Sequence, residues 1–229
     1  MQEKSPKHNF KVVLFDLDGT LVDTLYDIKI ALNTVLSKYN IPKISEEEVR
    51  KFISYGSAKI LEAHLYNHPT VDTSNLDVKK VINEIIDFYS DNINKNSKLF
   101  NNTEKVIEFL DKKNIPWGIV TNKLERLTIE LVKDYDVFKN CKCIVGQDTA
   151  AKPKPHPEPV IYALEQIGIS PKDCLFIGDS INDITAGRYA GTYTAVALYG
   201  YIGNPKETSE WGADYYFEDI HEVINLFDF

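Results

Sequence analysis

The sequence predicts an α/β protein: a parallel sheet flanked by helices, with an all-helical segment inserted after the first strand. Three observations carry this. Short, continuously apolar runs recur along the chain, as in strands buried on both faces. Helical periodicity separates most of them, which implies right-handed crossovers and a parallel sheet. About a hundred residues lie between the first two runs, far more than one crossover helix needs.

The first run, "VVLF" at 12–15, leads straight into "DLDGTLVDT" at 16–24. The later runs are "PWGIVT" (116–121), "CIVG" (143–146), "CLFIGD" (174–179) and "YTAVAL" (193–198). Between them, "TEKVIEFLDKKN" places Val106, Ile107 and Leu110 on one face, with Thr103 as the expected N-cap. "PEPVIYALEQIG" does the same with Val160, Ile161, Leu164 and Ile167, and ends at Gly168, a suitable C′ glycine. The excess after the first run is helical in pattern. Leu25, Ile28, Leu32, Val35 and Tyr39 recur at helical spacing. "SEEEVRKF" opens with a capping-box pattern from Ser45 to Glu48, and Val81, Ile82, Ile85, Ile86 and Tyr89 form a further stripe. The insertion is expected over 25–95, leaving 1–24 and 96–229 as the sheet-bearing part, with hinges near Thr24–Leu25 and Asn94–Lys98.

Composition narrows the function. The chain has 229 residues, 43% hydrophobic and 26% charged, ordinary for a globular protein. Its formal net charge of −8 disfavours nucleic acid, and no run approaches a membrane span. The polar first ten residues contain no secretory h-region. Cys141, Cys143 and Cys174 are expected to be reduced thiols in or near strands, and the expected location is cytoplasmic. The assembly is expected to be a monomer or homodimer.

The chemistry gathers at strand ends. In open parallel sheets ligands bind beyond the carboxyl ends of the strands, where strand order reverses. Asp16 and Asp18 end the first run, Thr121 closes "GIVT" and Asp179 closes "LFIG". Crowded carboxylates repel one another, and a divalent cation among them relieves this; carboxylate and carbonyl oxygens suit magnesium. Taken singly, each piece has an ordinary explanation: Asp18-Gly19 a turn, Thr121 a strand-end threonine, Ser180 to Asp183 a capping box. Their joint occurrence in order outweighs those explanations. "DLDG" is not a calcium loop, because its glycine stands at position 4 rather than 6. The sequence contains neither a P-loop nor a Gly-x-Ser-x-Gly elbow.

"DLDGTLVDT", "VTNK" (120–123), "KPHPEP" (154–159) and "GDSINDITAG" (178–187) resemble, in order, the four motifs of the haloacid dehalogenase (HAD) superfamily. The resemblance implies a Rossmann-like core with a small all-helical cap inserted after the first motif. It implies that Asp16 is a nucleophile forming an aspartyl-phosphate, and that Asp18 is the acid and then the base. Thr121 would bind the transferring phosphoryl group with backbone donors near Gly19 and Asn122. Two lysines compete for the third motif; the resemblance selects Lys154, 25 residues before Asp179 (179 − 154), to neutralise phosphoryl charge and hold Asp16. The implied magnesium ligands are Asp16, the backbone carbonyl of Asp18, and Asp179, with Asp183 orienting the metal shell or Lys154. The presence of Asp18 argues against the dehalogenases of the superfamily, which need no acid for a halide.

Within the superfamily the closest resemblance is to phosphoglycolate phosphatases. It extends to "LYGYIG" (198–203) and, in the cap, to "VRKFISYGSAKIL" (49–61), where Arg50 and Gly56 match and Ser54 stands where a glycine is usual. "FNNTEKV" (100–106) departs from the usual Pro-Gly pair. The expected reaction is magnesium-dependent hydrolysis of a small phosphorylated metabolite, first 2-phosphoglycolate, with pyrophosphate, a sugar phosphate or a nucleoside monophosphate as alternatives. A β-phosphoglucomutase-like phosphomutase and a non-enzymatic binding protein are the rival functions. His64 and His68, in the cap, are expected to be packing or surface residues with no assignable acid partner. Arg50 is equally readable as a surface helix arginine, and His156 as part of the proline-rich loop.

Overall fold

The computed structural model describes residues 10–203 and 206–227. Its centre is a six-stranded parallel sheet ordered β5-β4-β1-β6-β7-β8. The strands are β1 (Val12–Phe15), β4 (Trp117–Val120), β5 (Ile144–Val145), β6 (Cys174–Gly178), β7 (Tyr193–Ala197) and β8 (Tyr215–Phe217). The chain builds outward from β1 to β5, then returns to pair β6 on the other side of β1. Strand order therefore reverses between β1 and β6, the Rossmann-like arrangement, and a crevice opens there at the carboxyl ends.

The apolar runs are explained by burial on both faces. In β1, Val13 and Phe15 point into one cluster and Val12 and Leu14 into another. The first cluster packs under α5 (Thr103–Lys112), which contributes Val106, Ile107 and Leu110. The second packs under α7 (Glu158–Ile167) and α8 (Ile181–Ala190). Helix α6 (Glu125–Val132) follows β4.

A third apolar cluster belongs mainly to four helices between the first strand and β4. They are α1 (Leu25–Lys38), α2 (Glu46–Phe52), α3 (Ser57–Asn67) and α4 (Val78–Asp91). Leu32, Val35, Val49, Ile60, Leu61, Val81 and Ile85 fill it, joined by Leu127 of α6 and by Tyr201. The chain enters this layer through β2 (Val22–Asp23) and leaves it through β3 (Lys98–Leu99), which pair antiparallel. The expected boundaries at 24/25 and 95/96 fall beside this ribbon. The exit is held to α1: the buried Asp27 carboxylate accepts from both the backbone and side chain of Asn96 and of Ser97, at 2.7–2.9 Å.

Several local expectations need correction. Thr103 is the first helical residue of α5, and the N-cap is Asn102, at φ 65°. Asparagine tolerates this left-handed conformation, so it replaces the glycine of the usual pair, and its amide also donates to Asp219 at 2.8 Å. His64 does have an acid partner: it is fully buried, with Nδ1 3.1 Å from Glu48 Oε1 and Nε2 2.9 Å from the Pro42 carbonyl. The contact joins two different helices, which sequence spacing does not display. Strand β8 and the β2–β3 ribbon are too short to leave a periodic signal. Among the described residues no helix is long and apolar enough to cross a membrane, and the three cysteines are unpaired.

Candidate active site

Asp16 follows β1 directly and its backbone N–H donates to Ile177 of β6 at 2.8 Å, which fixes it beside the crevice. The chain then turns. The Leu17 carbonyl accepts from Thr20, Leu21 and Val22, and Gly19 adopts φ 92°. A Cβ at Gly19 would collide with the Asp179 carboxylate, so glycine is needed here for space as well as for conformation. The Gly19 N–H donates to the Val22 carbonyl at 3.0 Å. The Gly19 N–H is thus engaged within the turn, and the missing side chain leaves room for Asp179.

The turn sends Asp16 and Asp18 into opposite surroundings. Asp16 is buried and accepts from Lys154 Nζ at 2.9 Å. The same ammonium donates to Asp183 Oδ1 at 2.5 Å and to the Val120 carbonyl at 2.6 Å. Lys154, not Lys152, is therefore the lysine of the site: Lys154 is buried and Lys152 exposed. Asp183 also accepts, through Oδ2, from the Ser180 N–H and hydroxyl at 3.0 and 2.5 Å. That is a true capping box at the start of α8, and it aims Asp183 at Lys154. Asp179 accepts from the Tyr201 N–H at 2.7 Å and the Thr20 hydroxyl at 3.4 Å.

Asp18 is held elsewhere. Lys123 donates to both its oxygens at 2.9 Å and the Thr24 hydroxyl donates at 2.5 Å. The Lys123 ammonium also lies 4.7 Å from the Tyr89 ring centroid. Burial opposes the charge on Lys123, but Asp18 outweighs it and keeps the lysine protonated. Lys123 has no role assigned from the sequence beyond its place in "VTNK"; its signal there is a lysine two residues after a strand-end threonine. Tyr201 was likewise missed: its hydroxyl donates to Asp23 at 2.7 Å and accepts from the Thr24 and Leu25 N–H groups, bracing the entry to the helical layer.

Asp16, Asp179 and Asp183 bring carboxylate oxygens within 4.8 Å of one another, all three buried. Burial, with repulsion from Asp183, pushes Asp16 up to about 7 despite Lys154 beside it. Burial and repulsion from Asp16 and Asp183 push Asp179 well above the usual carboxylate range. One ammonium does not balance three buried carboxylates, and this donor set fits a hard divalent cation such as magnesium. The Asp18 side chain stands outside the cluster, on Lys123.

A cavity of about 270 Å³ joins this rim to the helical layer. Asp16, Asp18, Thr121, Asn122, Lys154 and Asp183 line its sheet side. The Thr121 hydroxyl accepts from the Lys123 N–H at 3.2 Å, leaving its proton free to donate. The Asn122 amide donates to the Lys154 and Ser54 carbonyls, and Asn182 reaches the Ser54 carbonyl at 3.4 Å, tying the α2–α3 loop to the sheet. Gly56 lines the cavity at φ 83°. Arg50 is not part of the wall. Its guanidinium sits 5.4 Å from the Tyr201 ring centroid and 3.8 Å from Glu46, with 40% of the side chain exposed.

Known proteins resemble this chain in sequence and fold. The family model described as haloacid dehalogenase-like hydrolase matches residues 13–197. A phosphoglycolate phosphatase of Xylella fastidiosa is 36% identical over 211 residues, covering 92% of this chain and 90% of its own. An N-acetylmuramic acid 6-phosphate phosphatase of Pseudomonas aeruginosa is 32% identical over 218 residues, 95% of each chain. The crystal structure of a predicted phosphoglycolate phosphatase from Haemophilus somnus 129pt superposes with a TM-score of 0.88 at 28% identity, over 95% of this chain and 98% of that one. With the family model matched over residues 13–197, the chain belongs to the haloacid dehalogenase-like hydrolase family.

Proposed function

We propose that this phosphoric monoester hydrolase is a magnesium-dependent phosphatase of small phosphomonoesters that works through an aspartyl-phosphate on Asp16. The observation that carries the reading is the contrast between the two aspartates of "DLDG". One is locked by Lys154 into the acidic cluster, and the other is held two residues away by Lys123 and Thr24. Two carboxylates in contrasting surroundings on one rim can take separate tasks, and a cation held by the acidic cluster would favour the ionised, nucleophilic form of Asp16.

Asp16 attacks phosphorus while the ester oxygen departs with a proton from Asp18. Asp18, now ionised, takes a proton from water, whose oxygen attacks the same phosphorus and frees Asp16. Thr121 donates to a phosphoryl oxygen, and Lys154 holds Asp16 in line while offsetting phosphoryl charge. Asp16, Asp179 and the Asp18 carbonyl would hold magnesium, with Asp183 keeping Lys154 in place; the ion would supply further charge neutralisation to the transferring group. The three unpaired thiols support a reducing, cytoplasmic location.

The relatives' names supply two specific candidates, 2-phosphoglycolate and N-acetylmuramic acid 6-phosphate, and sequence resemblance favours the first. The test is phosphate release from both, with pyrophosphate, sugar phosphates and nucleotides, in magnesium and in chelator, by wild type and by Asp16→Asn. Release that needs both the metal and Asp16 supports the reading. Turnover only with a sugar bisphosphate primer would instead identify a phosphomutase, and release undiminished in Asp16→Asn would overturn it.

A further inference from the structure

Among the described residues, the cavity wall opposite the catalytic rim carries no spare side-chain cation. The helical layer faces it with Ile28, Ile53, Ile60, Ile82, Ile85 and Ile86, and with Ser54, Gly56 and Ser57 at the start of α3. The two lysines in the wall are both committed, Lys154 to Asp16 and Asp183 and Lys123 to Asp18. Arg50, the cation that sequence resemblance offered, lies outside the wall against Tyr201 and Glu46. The wall does hold a buried polar atom without a hydrogen-bond partner, Asn122 Oδ1. The Asn122 amide is already oriented, because its nitrogen donates to two carbonyls. Its oxygen is therefore a fixed acceptor, and it repels a carboxylate.

We infer that this cavity selects phosphomonoesters whose leaving group is uncharged near the ester and presents an apolar body with a hydrogen-bond donor. The inference rests on the phosphatase reading above and, from the chemistry of the wall, turns the substrate preference away from the 2-phosphoglycolate that sequence resemblance favours. A carboxylate one carbon from the ester oxygen, as in 2-phosphoglycolate, has to sit inside the cavity. There it would be stripped of water among isoleucines with no cation to meet it, a costly burial. A neutral amide of the same shape keeps the bond that breaks and gives the Asn122 oxygen an N–H. A bulkier apolar alcohol gains further by covering the isoleucines. Hydrophobic walls discriminate weakly between neutral groups but strongly against an unpaired charge.

The experiment compares kcat/KM for 2-phosphoglycolate, its amide (glycolamide phosphate) and benzyl phosphate, using the full chain with magnesium. p-Nitrophenyl phosphate serves as a reactivity control. The amide should exceed the acid by at least about tenfold, and benzyl phosphate, apolar but without a donor, should also exceed the acid. In Ile82→Arg, which places a guanidinium on the wall, the acid should gain on the amide by a similar factor. Should that variant not fold, the wild-type comparison decides alone. The acid matching or exceeding the amide in wild type overturns the inference and leaves the chemistry standing. Turnover of p-nitrophenyl phosphate with none of the other three also overturns it. If p-nitrophenyl phosphate is not turned over either, the phosphatase reading fails and the inference with it.

Discussion

Replacing Lys154 with methionine keeps much of the side chain's length and removes one charge from the middle of the site. The ammonium is buried and donates to Asp16 at 2.9 Å and Asp183 at 2.5 Å. At an effective dielectric of about 20, each pair is worth about 6 kcal/mol of attraction. Desolvation of the lysine takes back several kcal/mol, and broken buried pairs typically cost about 3–5 kcal/mol. The expected loss for the metal-free protein at pH 8 is therefore about 4 kcal/mol, or about 8–16 °C in Tm for a chain of this size. The loss should shrink at pH 5. Asp16 already has a folded pKa raised to about 7, so at pH 5 it carries a proton and needs the ammonium less. Without Lys154 the Asp16 carboxyl titrates higher still, and its proton substitutes for the missing charge in acid. Urea unfolding at the two pH values, in chelator, reads the difference. With magnesium present, kcat should fall at least about a hundredfold, the scale of losing one preorganised charge-stabilising donor. A destabilisation equal at pH 5 and pH 8, or a kcat within threefold of wild type, would refute the role given to Lys154.

Three further outcomes are expected. For Asp16 itself the folded pKa is raised above the unfolded value, so the folded state binds the extra proton between about pH 4 and pH 7. Metal-free stability should therefore fall by a few kcal/mol as pH rises through that window. Asp16→Asn should reduce this slope, leaving the part that the buried Asp179 contributes with the same sign, and magnesium should flatten it in wild type, both measured by thermal unfolding across pH. Lys123→Met leaves Asp18 held by Thr24 alone, and should lower kcat by about 10²–10³ with little change in KM, as steady-state kinetics will show. Asp27→Ala removes four hydrogen bonds that clasp the helical layer's exit; it should cost about 3 kcal/mol and about 6–12 °C in Tm by calorimetry.

Much of this was legible in the sequence because burial on both faces leaves an unbroken apolar signature. "VVLF", "WGIV" and "CLFIG" were readable as central strands for that reason. The excess length after Asp16 revealed the helical layer, since helices with an apolar stripe advertise their period. The unread pieces share a different physics. The two-residue strands of the β2–β3 ribbon have no room for a period. Asn102 hides a left-handed turn behind a non-glycine residue. His64–Glu48, Lys123–Asp18 and Asp27 with Asn96 and Ser97 join residues from different elements, and such pairings follow from tertiary packing rather than from spacing. Arg50 shows the converse: a motif fixes a position in the chain, but the Tyr201 ring and Glu46 decide where the guanidinium lies.

The central claim is that Asp16 carries the phosphoryl group between two half-reactions. The most direct measurement is a single-turnover reaction with a radiolabelled phosphomonoester, quenched in acid within milliseconds, with the protein digested and the labelled peptide sequenced. The account predicts acid-stable label that rises and decays within one turnover, resides on the peptide containing Asp16, and is absent in Asp16→Asn. Phosphate released at full rate with no label on the protein at any time, or label that persists in Asp16→Asn, would contradict it.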